Sequence, residues 1–263
     1  MTTTNRRVLV TGGGTFLGDN IAAALLAEGA EVTLLVRPGA EDKLGGLAQH
    51  VRWATADVWN PASLRGRARG HSSVIHTVGS LIEDTTQGLN HHYLNFVSAR
   101  NVANMCISDG VPHMVFISGV AAPWTSRAYI RAKREAEVYI GRVGLQASIV
   151  RAPLTYVRGR PRPFFFRLMT LLGSVPPLSW LLFGRIAPMP VDLFARGVAR
   201  LTLERKRSKI IYHAPDLRKR NTRAERRAQA RPPARDSRTA RRIDLPEEET
   251  PFGWTPPEGR ENG

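Results

Sequence analysis

The chain has 263 residues, 42% of them hydrophobic and 23% charged, which is long enough for one large domain or two small ones. Its single cysteine excludes a disulfide framework and a multi-thiolate metal site, so Cys106 is expected to be a buried small residue. The formal net charge of +16 indicates an anionic partner. Charge alone leaves open a phosphate-bearing ligand, nucleic acid, a membrane surface or an acidic protein.

Short apolar runs alternate with amphipathic stretches from residue 6 to residue 160. A run such as Val8-Leu9-Val10 is apolar on both faces, as strands inside a parallel sheet are. The alternation predicts a doubly wound α/β fold, in which helices cover both faces of a parallel sheet. The predicted strands are 7–11, 31–36, 51–54, 73–77, 114–118 and 147–151, and the predicted longer helices are 19–28, 93–108 and 128–142.

A glycine-rich turn follows the first predicted strand and opens the first helix. Gly12 permits a tight turn, Gly14 lets the backbone approach a diphosphate, and Gly18 lets the helix pack closely on the strand. The helix N-terminus adds free N–H donors for phosphate. This context predicts a dinucleotide site, and an ordinary strand-to-helix turn is the alternative.

The second predicted strand runs into Arg37, where a site selective for NAD usually offers an acid to the ribose hydroxyls. A guanidinium there fits a 2′-phosphate instead, with Lys43 as a second cation. We therefore expect NADP as the cofactor, with NAD as the alternative. A solvated Arg37 in a loop would carry no such preference.

Further motifs follow the later strands in order, and together they resemble a known family. Asp57-Val58 follows the third strand, Val78-Gly79 the fourth, and Asn95 lies in the next helix. With the glycine turn, they resemble the extended and atypical short-chain dehydrogenase/reductases, which include NAD-dependent epimerases and dehydratases, over about residues 6–217. Thr15 stands where that family has its middle glycine. The resemblance implies cofactor contacts from Thr11, Gly12, Gly14, Thr15, Phe16, Leu17, Gly18, Arg37, Asp57, Val58, Val78, Gly79, Asn95, Lys133 and Pro153.

Tyr129 and Lys133 are four residues apart in a predicted helix, so they share one helical face. Hydride transfer to or from a carbinol needs a matched proton transfer, and a phenol performs it near neutral pH when a cation stabilises the phenolate. The resemblance implies that Tyr129 is the general acid or base and that Lys133 lowers its pKa and holds the nicotinamide ribose. It also implies a serine that polarises the substrate oxygen, for which Ser118 is the candidate. A surface tyrosine packed along a lysine stem is the alternative.

The resemblance implies an NAD(P)-binding Rossmann domain at 1–157 and a small cover lobe that returns to the core at 158–217, and composition predicts a charged tail at 218–263. The tail is basic and then acidic, and we expect it to be disordered unless a partner binds it. The apolar region 164–184, which is uncharged from 168 to 184, predicts an apolar flap or a membrane-surface contact, since prolines and glycines break it as a membrane span. The N-terminus lacks a secretory signal, so we expect a cytoplasmic protein, with peripheral attachment to the cytoplasmic face of the membrane as a second expectation. The adjacent His91 and His92 lack a spaced carboxylate or cysteine, so no metal site is expected.

Two functions stay open. The first is an NADP-dependent oxidoreductase acting by hydride transfer on a small hydrophobic carbonyl or alcohol. The second is a non-catalytic subunit, because residues 126–133 also resemble the nucleotide-binding accessory subunit of respiratory complex I and its bacterial relatives, where the dinucleotide is structural. In that case 164–184 and the basic tail would dock on a membrane complex or an acidic protein. Nucleic acid ranks last as a partner, because no aromatic residues separate the arginines of the tail.

Overall fold

The computed structural model describes residues 6–83, 88–158, 184–206 and 208–227. Its main sheet has seven strands, all paired in parallel. In chain order these are β1 (Arg7–Gly13), β2 (Glu31–Val36), β3 (Arg52–Thr55), β4 (Ser73–His76), β5 (Met114–Gly119), β6 (Ala147–Ala152) and β9 (Ile211–Tyr212). Their order across the sheet is β3-β2-β1-β4-β5-β6-β9, and a second ladder pairs β7 (Thr155–Tyr156) with β8 (Met189–Pro190).

Helices cover both faces of this sheet, so the predicted doubly wound fold is confirmed. They are α1 (Phe16–Ala27), α2 (Pro61–Leu64), α3 (Ser98–Ser108), α4 (Arg127–Arg142), α5 (Gly184–Ile186), α6 (Val191–Leu203), α7 (Ala214–Arg220) and α8 (Arg223–Arg227), with 3-10 turns over Glu41–Gln49 and a π-helical segment over His92–Val97. Alternate residues of β1 enter two different cores. Val8 and Val10 pack with α1 and α6 on one face, and Leu9 packs with α3 on the other.

The chain order reverses between β1 and β4, which are neighbours in the sheet although β2 and β3 intervene in the sequence. Connections therefore leave the carboxyl ends of these two strands in opposite directions. In open α/β sheets a ligand crevice forms at such a point. The glycine turn after β1 and the Val78-Gly79 motif after β4 both lie there.

The polypeptide after residue 184 contributes to the core that contains β1 and α1. α6 packs on α1 and contributes Leu193, Phe194 and Val198 to the core that contains Val8. α7 packs on α6, and the buried amide of Asn221 donates to the carbonyl oxygens of Leu193 and Leu217. The described helices continue to Arg227, while 159–183, which includes most of the predicted flap, and 228–263 lie outside the described residues.

Cys106 is buried on α3, as the sequence predicted, and burial raises the pKa of its thiol to about 12. Within the ranges given above, no helix combines the length and apolar character that crossing a membrane would require.

Candidate active site

The glycine turn brings the end of β1 and the start of α1 into direct contact. Gly12 and Gly14 adopt left-handed backbone, with φ of 91° and 76°, which side chains disfavour. A Cβ at Gly18 would overlap the carbonyl oxygen of Gly12. The first intrahelical hydrogen bond runs from Asp19 N to Thr15 O at 3.0 Å, so the N–H groups of Phe16 and Leu17 precede the helical ladder and are the donors offered to a diphosphate.

Thr15 fills the place of the missing middle glycine by closing the turn on itself. It is the N-cap of α1, with φ of −112° and ψ of 151°. Its Oγ1 donates to the carbonyl oxygen of Gly12 at 2.6 Å and accepts from Gly18 N at 3.2 Å. The threonine hydroxyl is therefore used inside the turn. This local bonding explains how a side chain is accommodated where the family has glycine.

Asp19 is a site residue that the sequence reading missed. Its side chain is fully buried in the first turn of α1, and its Oδ1 accepts from Gly14 N at 2.9 Å. Burial raises the pKa of Asp19 to about 7, although the hydrogen bond from Gly14 acts to lower it. The signal was present in the sequence: an acidic residue opens an otherwise apolar helix directly after the last glycine.

The ends of β2 and β3 border the same turn. Arg37 is partly buried where β2 ends, and the loop after it closes on the turn, since a Cβ at Gly14 would lie 3.2 Å from the Cβ of Lys43. Asp57 follows β3, and its Oδ1 accepts from Trp59 N at 2.9 Å while Val58 is fully buried. Arg37 and Lys43 thus lie in the segment that follows β2 and borders the glycine turn.

Gly79, Asn95 and Lys133 meet after β4. A Cβ at Gly79 would overlap Asn95 Oδ1 and lie 2.5 Å from Lys133 Nζ, so this position has room only for glycine. Asn95, in the π-helical segment, donates to Ser80 O at 2.9 Å and His91 O at 3.1 Å, and its Oδ1 accepts from Ser80 N at 3.1 Å. Asn95 therefore fixes the loop after Val78-Gly79. π-helical segments often mark functional sites.

Tyr129 and Lys133 both lie on the buried face of α4. The Tyr129 side chain is 1% exposed, and its hydroxyl has no hydrogen-bond partner within the described ranges. Burial raises the pKa of this phenol and lowers the pKa of Lys133 to about 7. Lys133 Nζ donates to the carbonyl oxygens of Val78 and Ile117, both at 3.3 Å, and lies 5.9 Å from the centroid of the Tyr129 ring.

The Ser118 hydroxyl points into a charged cluster on α4. It donates to Glu137 Oε1 at 2.6 Å and accepts from Arg134 Nη1 at 3.0 Å. Glu137 also pairs with Arg134 and with Arg151, whose Nη2 lies 2.7 Å from Glu137 Oε2. In this arrangement the serine proton is engaged by a carboxylate. The structure brings Ser118 near Tyr129 in the fold, but with its hydroxyl committed to the cluster.

An apolar cleft opens beside Tyr129 at the ends of β5 and β6. The buried Pro153 lies in the chain between two of its wall residues. Its lining is largely hydrocarbon, which favours an apolar group next to the phenol. The residues that line it are Leu81, Gly119, Val120, Trp124, Thr125, Tyr129, Ala152 and Leu154.

The residues present fit an NAD(P) cofactor. The left-handed glycines, the first-turn N–H groups of α1 and the crevice between β1 and β4 suit a diphosphate, and Gly79 with Lys133 continues the crevice toward Tyr129. In the part of the chain that the structure covers, no three His, Cys, Asp or Glu side chains group as metal ligands would.

Comparisons with known proteins agree with this geometry. A family model described as NAD(P)H-binding matches residues 12–158. A ceramide reductase of Caulobacter vibrioides is 30% identical over 176 residues, which cover 65% of this chain but only 54% of that protein, about half its length.

Two solved structures show the same fold at low sequence identity. A dTDP-glucose 4,6-dehydratase from Streptomyces venezuelae, with NAD bound, is 19% identical with a TM-score of 0.55 over 79% of this chain and 75% of that one. A UDP-glucose 4-epimerase from Thermus thermophilus, in complex with NAD, is 19% identical with a TM-score of 0.56 over 86% and 84%. The resemblance to the complex I accessory subunit stays a prediction. The chain belongs to the NAD(P)H-binding family, with the fold of the extended short-chain dehydrogenase/reductases.

Proposed function

We propose that the chain is an NADP-dependent oxidoreductase that acts on a hydrophobic carbonyl or alcohol. The proposal rests on one observation: the buried hydroxyl of Tyr129 has no hydrogen-bond partner in the described structure, and Tyr129 lines an apolar cleft. A buried polar group left unpaired costs free energy, which is typical of a group kept for a ligand. The relative named as a ceramide reductase supports a lipid-like substrate.

When bound, NADPH supplies the hydride for reduction of a carbonyl. Tyr129 delivers a proton from its Oη to the substrate oxygen, because the raised pKa of the phenol keeps it protonated at neutral pH. Lys133, in its ammonium form, favours the phenolate that remains. The cleft lining beside the phenol is largely hydrocarbon, so a substrate bound there would displace water and strengthen these electrostatic interactions. Ser118 holds the end of β5 on α4 and does not donate to the substrate.

Arg37 and Lys43 support the preference for NADP. Both lie in or beside the loop that closes on the glycine turn, and guanidinium and ammonium groups suit a 2′-phosphate. The structures that carry NAD are under 25% identical and inform the fold alone. Parallel titrations with NADPH and NADH would measure the preference.

The direct test replaces Tyr129 with phenylalanine. Tyr129→Phe removes only the hydroxyl, so we expect NADPH affinity within about twofold of wild type and a loss of turnover of at least about 100-fold, in the range typical of general acid catalysis. Turnover is followed as NADPH oxidation with long-chain ketones, including ketones of ceramide type.

Tyr139→Phe is the matched control. Tyr139 lies on the same helix, but its hydroxyl donates to Asn104 Oδ1 at 2.7 Å near the surface, away from the cleft. This variant should keep full activity. Normal turnover in Tyr129→Phe would contradict the proposed role of the phenol.

A structural role for the dinucleotide is the second candidate. Two observations favour it: the Ser118 hydroxyl donates to Glu137, and Tyr129 and Lys133 are both buried. A nucleotide bound beside these residues would then stabilise the fold without being turned over. Nucleotide that copurifies, does not exchange with added NADPH and is not oxidised by any ketone would support this candidate.

A further inference from the structure

A buried carboxyl lies beneath the glycine turn, at the end of α1 that faces a diphosphate. The Asp19 side chain has no exposed surface, and only one of its oxygens is bonded, by Gly14 N at 2.9 Å. The second oxygen, Oδ2, has no hydrogen-bond partner within the described ranges. A buried carboxylate normally has both oxygens satisfied, whereas a protonated carboxyl needs fewer partners.

The contact with Gly14 makes Asp19 a positioning residue of the turn. Gly14 has a left-handed φ of 76°, and its N–H is held by a side chain five residues further along the chain. The preceding bonds of Thr15 fix the other side of the turn. Asp19 therefore holds the backbone that a diphosphate would approach, and its charge lies next to the charge of that ligand.

We propose that Asp19 takes up a proton when the diphosphate of a dinucleotide binds the glycine turn. This proposal rests on the cofactor site of the proposed function. A diphosphate brings negative charge to the helix N-terminus, and a second buried negative charge there is repelled by it. Protonation removes that repulsion and keeps the hydrogen bond from Gly14, since the carbonyl oxygen of a carboxyl still accepts.

The surroundings of Asp19 do not supply a counter-charge that would prevent this. The elements packed against α1 are β1, β2, the 3-10 turns and α6. Burial raises the pKa of Asp19 to about 7 against the opposing effect of the Gly14 hydrogen bond, and no neighbouring charge among the described residues contributes to the shift. Asp192 is paired with Arg158 at 2.7 Å and Arg196 with Glu225 at 3.3 Å. The charged residues of these elements are Arg7, Glu31, Glu41, Asp42, Lys43, Asp192, Arg196 and Arg200.

The affinity for a diphosphate is expected to fall as the pH rises above about 7. Below pH about 7 the carboxyl is already protonated in the free protein and binding takes up little. Above that pH the free protein is ionised, so binding draws in up to one proton and the affinity falls by as much as about tenfold per pH unit. The fall ends where the bound protein itself ionises.

Calorimetry with ADP-ribose tests the proposal, because this probe carries the diphosphate but no nicotinamide and no phosphate that titrates near neutral pH. Binding heats measured from pH 6 to 9 in buffers of different ionisation enthalpy give the number of protons taken up. We expect about one proton at pH 8 and few at pH 6 for the wild type. Asp19→Asn, which keeps the Gly14 contact and cannot titrate, should show no uptake and a flat affinity over this range.

Two controls separate Asp19 from other groups. Asp192→Asn removes a more exposed carboxylate and should leave the uptake unchanged. Lys133→Met removes the other buried group with a pKa of about 7, and this variant should also show the wild-type proton uptake. Binding without proton uptake in the wild type would overturn this inference alone, whatever the fate of the Asn variant. Absence of ADP-ribose and NADPH binding at every pH would overturn the cofactor proposal and this one together.

Discussion

Gly119 brings the end of β5 into contact with the phenol of Tyr129. A Cβ added at Gly119 would lie 2.6 Å from Tyr129 Oη and 2.6 Å from its Cε1, closer than side chains approach. The adjacent Ser118 turns its hydroxyl toward Glu137, and Val120 adds hydrocarbon to the cleft. Residues 118–120, at the end of β5, thus place no polar side-chain group against the Tyr129 hydroxyl. The absence of a side chain at Gly119 makes this close approach of the phenol possible.

Gly119→Ala should displace the phenol. We expect turnover to fall by about 100-fold, because small displacements of a reacting group are costly, and stability to fall by about 1–3 kcal/mol through overpacking. Steady-state kinetics and urea unfolding measure the two effects. Gly141→Ala is the control, since Gly141 lies on the exposed face of α4 with no neighbouring atom within 4 Å of an added Cβ. That variant should gain roughly 0.5–1 kcal/mol and keep its activity.

Helix α4 is fastened to β5 and β6 by one carboxylate. Glu137 is buried and receives hydrogen bonds from Ser118, Arg134 and Arg151, while Arg134 also donates to Gly119 O at 2.9 Å. The same helix carries Tyr129 and Lys133 on its buried face. The position of the phenol relative to β5 therefore depends on this cluster of three elements.

Glu137→Ala should destabilise the fold more than an exposed change on the same helix. It leaves two partly buried guanidinium groups without their carboxylate, at an expected cost of about 2–4 kcal/mol. Glu135→Ala breaks an exposed contact with His92 and should cost less than about 1 kcal/mol. Urea denaturation followed by circular dichroism compares the two variants. Equal losses of unfolding free energy would contradict the role of Glu137 in holding α4 on β5 and β6.

The longer elements were predictable from sequence because their periodicity is strong. The strand at Glu31–Val36 agrees residue for residue, and the helix predicted at 128–142 begins one residue earlier, at Arg127. Helix α1 begins at Phe16 rather than 19, because Thr15 caps it. The short 3-10 turns over Glu41–Gln49 and the strand Ile211–Tyr212 carry too few residues for a periodic pattern and form through tertiary contacts.

The site was predictable in its motifs but not in its hydrogen bonds. The glycine turn and Gly79 follow neighbouring parallel strands and so lie at one edge of the sheet, and Lys133 approaches Gly79 from α4. The partner of Ser118 depends on Glu137, nineteen positions away, which only the packing of α4 on β5 brings near. The burial of Asp19 likewise follows from the packing of α1 against β1 and α6, which periodicity does not specify.

On the scale of the whole molecule, the last described helices are joined to the end of the first helix, α1. Arg200 of α6 donates to Glu28 at the end of α1 and, with two nitrogens, to Glu225 of α8. Arg220, the last residue of α7, pairs with Glu204, the residue that follows α6. Helices from the early part (α1) and the late part (α6 and α8) of the described chain are thus joined by ion pairs beside the sheet.

Glu225→Gln tests this closure through pH. The hydrogen bond with Arg200 lowers the pKa of Glu225 to about 2, below its usual 4.5. A carboxyl with a depressed pKa stabilises the fold above its unfolded value, and that contribution is lost as pH falls from about 4.5 toward 2. The variant should lose about 1–2 kcal/mol at pH 7 and progressively less toward pH 3. Thermal unfolding across this range measures the difference, and Glu31→Gln, at an exposed pair with Arg7, should change little.

The burial of Cys106 means that the native protein carries no thiol that reacts readily with a labelling reagent. A thiol reacts as its thiolate, and a pKa of about 12 inside α3 keeps this one unreactive toward maleimides at neutral pH. A cysteine introduced at Val138, which is 51% exposed on α4, would then be the one thiol that accepts a fluorophore in the native protein. A dye at that position reports on the helix that carries Tyr129, and slow modification of Cys106 itself reports how often the core opens.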